Sequence, residues 1–288
     1  MHNIYISLIG GLGNQLFQVA LGHALMKISS NNIIYDISRF NKYKDHSLKV
    51  NSLFPEKKFI NLKNKIFKKR IEERHCGFDD LLIQKIINQS ISKDVNVSGY
   101  FQSLSYFSLF IPEIRAMIKK RIELLFPELN SMSLKNKLQR TLGIHIRRGD
   151  KLSKVNKSIY GKRSTKEIIN NIELIFFKGN FARILLIGDD YEYLNNLRSL
   201  IKLDAEINLS NDLLGNYCDL VDFYLLANVK SLIISNSTFS LWAGYLSNGE
   251  VYYPTPFYPY PRHKINLNHN YEDLIFPDWI PYNVNLDA

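Results

Sequence analysis

Short apolar, β-branched runs alternate with longer helical patterns along this 288-residue chain, and they do so in two series. Ile4–Ile9 reads as a buried strand. A glycine turn follows, then a helix over about Asn14–Ser29 with Leu16, Val19, Ala20, His23 and Ala24 on one face, then a strand at Ile33–Ile37. The second series starts at Gly143. Its strands are Gly143–Arg147, Ile184–Gly188, Glu206–Leu209, Ser231–Ser235 and Val251–Tyr253. Its helices fall at about Thr165–Phe177, Tyr191–Ile201, Asp219–Ala227 and Phe239–Leu246. Strand–helix alternation of this kind predicts parallel sheets covered on both faces.

Between the two series, Val95–Tyr100 is a further strand, and Pro112 and Pro127 bracket a helix over about Glu113–Phe126. The lysine-rich stretch of about Ser38–Lys93 shows no clear period and reads as irregular. Two α/β domains are expected, 1–135 and 136–265, with a seam near Ser131–Arg140 and a tail, 266–288, packing back on the body. A hydrophobic content of 45% suffices for one large core or two modest ones.

The net charge of +10 favours polyanionic partners: nucleic acid, an anionic membrane surface or phosphorylated ligands. Part of the surplus lies in 57–74, which carries Lys57, Lys58, Lys63, Lys65, Lys68, Lys69, Arg70 and Arg74. That segment is either a solvated face or a patch resting on an anionic leaflet. No nucleic-acid module or aromatic-basic platform accompanies it, so nucleic acid is not an expected partner. Cys76 and Cys218 are far apart and lack metal-ligand spacing, which argues against a disulfide framework or a zinc site and fits a reducing compartment. No apolar run approaches the ~20 residues of a spanning helix. The expectation is a cytoplasmic protein, with the inner membrane face as a place of peripheral contact.

In open parallel sheets, ligands bind beyond the carboxyl ends of the strands. Three polar constellations stand at such ends. Gly10-Gly11-Leu12-Gly13-Asn14-Gln15 follows the first strand and opens a helix; it suits close backbone approach to a ligand, or a plain tight turn with Asn14 as N-cap. His145-Ile146-Arg147-Arg148-Gly149-Asp150 ends the strand that opens the second series. One arginine there can fork onto a phosphate while the other pairs with a carboxylate such as Asp150. Ser235-Asn236-Ser237-Thr238-Phe239-Ser240 opens another helix and reads as an anion site or an ordinary cap. Upstream lies Asp219-Leu220-Val221-Asp222, and a carboxylate in this helix has the chemistry to accept the N1–H and exocyclic amine of guanine, or serves as a helix-surface or first-turn acid. Asp189 and Asp190 suit a ribose contact or a helix cap, and His23 reads as a packed helix residue.

Taken together, these segments resemble glycosyltransferase family 11, the α-1,2-fucosyltransferases of bacterial type. "GGLGNQLFQVALGHAL" is similar to the family's N-terminal signature, "HIRRGD" to its arginine motif and "LIISNSTFSLWAGYL" to its C-terminal motif. "DFYLLANVKSLIIS", "GYFQSLSYF" and "DLIFPDWI" also fit, in the family's order. The resemblance implies a GT-B-like architecture, two Rossmann-type domains whose parallel sheets face a cleft. It implies inverting transfer of fucose from GDP-β-L-fucose to the 2-hydroxyl of a galactose-type acceptor, with no metal or other cofactor. A glycan or lipid-linked oligosaccharide acceptor and O-antigen or other surface-glycan synthesis go with it. Carried over by position, His145, Arg147, Arg148 and Asp150 line the donor site. Asn236, Ser237 and Thr238 hold phosphate, Asp222 sits near the guanosine, and Gly11, Gly13, Asn14 and Gln15 face the sugar and acceptor. Leu241, Lys151 and Ser231 depart from the common pattern and leave acceptor choice open.

The departing diphosphate of a nucleotide sugar needs a divalent metal or fixed cations. The chain contains no Asp-x-Asp, so Arg147 or Arg148 is the expected substitute. Asp150 and His145 are both candidates for the base. The competing readings are the same fold with another nucleotide sugar, and a non-enzymatic basic protein that binds nucleic acid.

Overall fold

The computed structural model describes residues 2–41, 46–62, 70–74, 77–148, 163–215, 218–257 and 271–284. The chain divides into two compact units, Met1–Arg121 with His263–Phe276 and Ile122–Arg262 with Pro277–Ala288.

The first unit runs β1 (Asn3–Ser7), α1 (Leu12–Ile28), β2 (Asn32–Asp36), α2 (Val50–Leu53), β3 (Lys58–Ile60), β4 (Arg70–Glu72), α3 (Asp80–Ser90), β5 (Val95–Ser98) and most of α4 (Ile111–Leu125). Its sheet has the order β3-β2-β1-β5-β4, with every pairing parallel. The chain lays β2 and β3 to one side of β1, then returns to place β5 and β4 on the other. The strand order therefore reverses between β1 and β5. Ile4, Ile6, Val95 and Val97 fill the interior with Leu16, Val19 and Ala20 of α1.

The second unit contains α5 (Met132–Leu138), β6 (Thr141–Ile146), α6 (Thr165–Phe176), β7 (Arg183–Gly188), α7 (Tyr191–Leu200), β8 (Glu206–Leu209), α8 (Ser210–Leu214), α9 (Asp219–Asn228), β9 (Ser231–Ile233), α10 (Thr238–Leu246), β10 (Glu250–Thr255) and β11 (Ile280–Asn283). Its order is β11-β10-β9-β6-β7-β8, again all parallel. Here the reversal lies between β6 and β9. Leu142, Ile144 and Ile146 pack with Ile172, Ile175 and Phe176 of α6 and with Leu194 and Leu197 of α7. The alternate β6 residues, Gly143 and His145, face Val229 and Phe239, as the two-residue period of a strand requires.

Two parallel-sheet α/β units are what the sequence alternation predicts. The stretch expected to be irregular is the main correction, because it holds α2, β3, β4 and α3. β3 and β4 are three-residue edge strands carrying Lys58, Arg70 and Glu72. Short charged edges carry no apolar alternation to detect. α3 is capped by Asp79, which accepts from Leu82 N at 2.9 Å; it buries Leu82, Ile86 and Ser90 on one stripe. Pro112 lies inside the first turn of α4 instead of before it, where a missing N–H costs nothing. In the tail, β11 extends the second sheet, while Asp273 accepts a hydrogen bond from Ser105 Oγ at 2.6 Å and another from Ser103 Oγ. Within the basic segment, 63–69 lie outside the described residues. No helix among the described residues is long and apolar enough to cross a membrane.

Candidate active site

The carboxyl ends of β6 and β9 lie where the strand order reverses, which is where an open parallel sheet forms its crevice. His145, near the tip of β6, is buried, with Nδ1 2.8 Å from Ser235 Oγ and its ring 5.3 Å from that of Phe239. Ser235 O accepts from Ser237 N at 2.8 Å and Ser240 Oγ at 2.9 Å. The chain therefore curls tightly at the tip of β9 before α10 begins at Thr238. Ser237 stands at the N-cap of α10 without a side-chain cap hydrogen bond. The first-turn N–H groups and the positive end of the helix dipole lie beside buried Asn236, a ready place for an anion.

The two arginines leave the tip of β6. Arg147 Nη1 is 3.0 Å from Asp189 Oδ2, and the guanidinium remains about 30% exposed. Arg148 donates its backbone N–H to Asp189 Oδ1 at 2.7 Å. Its Nε lies 3.6 Å from Asp190 Oδ2 and its guanidinium sits 3.7 Å above the Tyr193 ring. Asp190 also caps α7 by accepting from Tyr193 N at 3.0 Å. Among the described residues, the arginines' carboxylate partners thus come from the end of β7, the neighbouring strand. Asp150 and Gly149 lie outside the described residues.

Asp222 is in the first turn of α9 and buried. Burial pushes its carboxyl up to about 6, against the pull of a hydrogen bond from Ser210, with nearby Asp219 adding to the rise. Among the described residues its Oδ1 is buried with no hydrogen-bond partner. An orphaned buried acceptor costs about 1–3 kcal/mol and asks for an explanation. Phe223, next in sequence, packs its ring 5.4 Å from Phe239, which ties this helix to the start of α10.

The first unit has its own crevice position, between the carboxyl ends of β1 and β5. Gly10 takes φ +77°, and Gly11 is the backbone N-cap of α1. Gly13 is buried in the first turn, and Asn14 Oδ1 accepts from Gln102 Nε2 at 2.9 Å. Gln15 is fully buried: Nε2 donates to Gly10 O (2.8 Å) and Ser47 O (2.9 Å), and Oε1 accepts from Lys49 N (2.9 Å) and Val50 N (3.3 Å). Its amide therefore shapes the loop from within. Gln18 works the same way, accepting from Ile9 N and donating to Gly99 O, both at 3.0 Å. Glu73, just past β4, accepts from Tyr100 N at 2.8 Å and Phe101 N at 2.9 Å through Oε2. Among the described residues its Oε1 is buried with no hydrogen-bond partner. Burial raises this carboxyl to about 7, outweighing the two N–H donors. His23 packs inside, its ring 5.8 Å from Phe110 and Nε2 3.2 Å from Glu113, with its basicity lowered mainly by burial. Among the described residues no three His, Cys, Asp or Glu side chains group as a metal site would require.

The model of glycosyl transferase family 11 matches residues 50–282. The chain belongs to glycosyl transferase family 11. Alpha-1,2-colitosyltransferase from Escherichia coli is 28% identical over 287 residues, covering 92% of this chain and 95% of the relative. Among solved structures, POFUT1 in complex with GDP is similar at 11% identity and a TM-score of 0.47, over 85% of this chain and 95% of that one. The fucosyltransferase NodZ from Bradyrhizobium is similar at 14% identity and a TM-score of 0.47, over 86% and 94%.

In this family 11 glycosyltransferase, Tyr193, Gln18 and Glu73 help organise the two crevices without having stood out as site residues in the sequence, and Asp189 does so in a role other than the two offered for it. Asp189 followed a strand and invited a ribose reading. Glu73 is the second of two adjacent acids in a stretch without period, and nothing local signals its burial. A carboxyl raised in the fold contributes stability that is complete below its unfolded value, here 4.5, and is lost as pH rises through about 7. Thermal melts of wild type and Glu73→Gln should therefore diverge between pH 5 and 8, with wild type losing ground as pH rises. Parallel curves would show that the carboxyl is not held near neutrality.

Proposed function

We propose that this family 11 transferase moves L-fucose from GDP-β-L-fucose, with inversion and without a metal, to the 2-hydroxyl of a galactose-type acceptor, in O-antigen or other surface-glycan synthesis. The observation that carries the reading is the second-unit crevice: two guanidinium groups at the tip of β6, oriented by Asp189, Asp190 and Tyr193, in the same sheet as the helix start at Thr238 that lacks a side-chain cap. The acceptor oxygen forms a bond to the anomeric carbon as the bond to the β-phosphate oxygen breaks. GDP leaves with the bonding pair, and a base takes the hydroxyl proton. Arg147 and Arg148 offset charge on the departing diphosphate, while Asn236, Ser237 and Thr238 receive its oxygens. His145, bonded to Ser235, positions the β9 loop, and Asp150 remains the other candidate base. Turnover of GDP-fucose across an acceptor panel, with and without EDTA, tests the reading; loss of activity on chelation would overturn its metal-free part.

Guanine recognition by Asp222 has its own signature. The ionised carboxylate can accept both N1–H and the exocyclic amine, and the unpartnered Oδ1 supplies one of these places. Protonation removes an acceptor, so preference for GDP over UDP should be full above about pH 6 and fall by up to roughly tenfold per pH unit below it. The diphosphate titrates alike in both nucleotides and cancels in the ratio. Asp222→Asn should lose both the preference and its pH dependence; an unchanged GDP-to-UDP ratio would remove guanine from this site.

A second reading is favoured by the relative named for α-1,2-colitosyl transfer. Colitose is fucose lacking the 3-hydroxyl. A site that hydrogen-bonds that hydroxyl rejects the deoxy sugar by about 10⁴, whereas an apolar site rejects the extra hydroxyl by only about 10². Comparing kcat/KM for GDP-fucose and GDP-colitose separates the two donors.

A further inference from the structure

In the first unit the segment that follows β5 is held at almost every point. Gly99 O accepts from Gln18. The N–H groups of Tyr100 and Phe101 both go to the Glu73 carboxylate. Gln102 reaches Asn14 of the glycine turn, and Ser103 and Ser105 donate to Asp273. Gly99 has no room for a side chain, since a Cβ there would sit 2.5 Å from Glu73 Cβ. Phe101 takes φ +53°, a left-handed backbone that a bulky residue adopts only when its surroundings enforce it, and its ring is fully buried.

The outcome of this bracing is one presented side chain. Tyr100 is 43% exposed, and among the described residues no hydrogen bond or ring contact holds its side chain. It stands two residues past β5, beside the glycine turn after β1, at the position where the strand order of this sheet reverses. That is where an open parallel sheet takes its ligand. Strain kept in a braced turn that ends on an exposed aromatic has a function in binding more readily than in folding. A tyrosine there offers a flat apolar face to the C–H face of a pyranose ring and a hydroxyl to its rim, at little entropic cost because it has only two side-chain torsions.

We propose that Tyr100 is the platform on which the acceptor glycan lies, with Glu73 and Gln102 acting as positioning residues that fix its orientation. The proposal rests on the transfer reaction described above and adds the acceptor subsite to it. It predicts a ring requirement more than a hydroxyl requirement.

The test measures initial rates with GDP-fucose as donor and methyl β-galactoside, lactose and N-acetyllactosamine as acceptors, together with acceptor-free hydrolysis of the donor. Tyr100→Ala should raise the acceptor KM about tenfold, leaving donor KM and acceptor-free hydrolysis within about twofold of wild type. Tyr100→Phe should stay close to wild type throughout. The alanine variant should melt close to wild type, because among the described residues no hydrogen bond or ring contact holds this partly exposed side chain. If wild type transfers to these galactosides and Tyr100→Ala matches its acceptor KM, or if donor KM and hydrolysis change in step with it, the platform is wrong and the reaction stands. If wild type transfers to none of them, the galactoside reading fails and the platform fails with it.

Discussion

Alanine in place of Arg147 is expected to lower turnover of the nucleotide sugar by about 10²–10³-fold at saturating donor, the range seen when one preorganised charge-stabilising group is removed. The reason is local and electrostatic. As the glycosidic bond breaks, negative charge grows on the leaving diphosphate, and a fixed cation in a partly desolvated crevice stabilises that charge without reorganising. Arg147 lies 3.0 Å from Asp189, so its removal also takes a guanidinium from that carboxylate. Arg147→Lys keeps the charge and loses the planar fork, and should recover only part of the loss. Arg148→Ala is expected to act in the same direction, with the added loss of the stacking on Tyr193 that sets the guanidinium plane. The check is kcat with saturating GDP-fucose, alongside a melt showing the fold intact. Turnover within threefold of wild type in Arg147→Ala would rule out its role at the diphosphate.

Gly188→Ala should be the most destabilising single methyl addition near the site. Gly188 ends β7 and pairs in register with Ile146. A Cβ on Gly188 would lie 2.2 Å from Ile146 O. That oxygen belongs to the backbone of the adjacent strand, so relief requires the strands to part. Overpacking of this kind costs roughly 3 kcal/mol or more. For a protein of this size that is a fall in Tm of roughly 6–10 °C. The same shift would move Asp189 away from both arginines, so donor turnover should fall with stability. A variant melting within 2 °C of wild type would mean the strand tips are looser than the close approach implies.

Much of this architecture is readable along the chain. The two-residue period of the strands, the glycine and proline punctuation, and the helices between them predict parallel sheets and mark each strand's carboxyl end. Those ends already single out the glycine turn, the arginine pair and the Ser-Asn-Ser-Thr helix start, because ligand chemistry in such sheets gathers there. What escaped were β3 and β4, too short and too charged at the sheet edges to carry a period, β11, which arrives from the tail, and the helices α2 and α3 inside the lysine-rich stretch.

Local pattern, then, was enough to say where strands stop and which polar groups wait beyond them, since periodicity and backbone constraints act between near neighbours. Pairing between distant segments was not contained in it. That Arg147 meets Asp189 at the end of the neighbouring strand, that Gln15 turns inward to the backbone, and that Glu73 and Asp222 are raised by burial all follow from distances and desolvation across segments far apart in the chain. Those quantities come into being only when the sheets assemble.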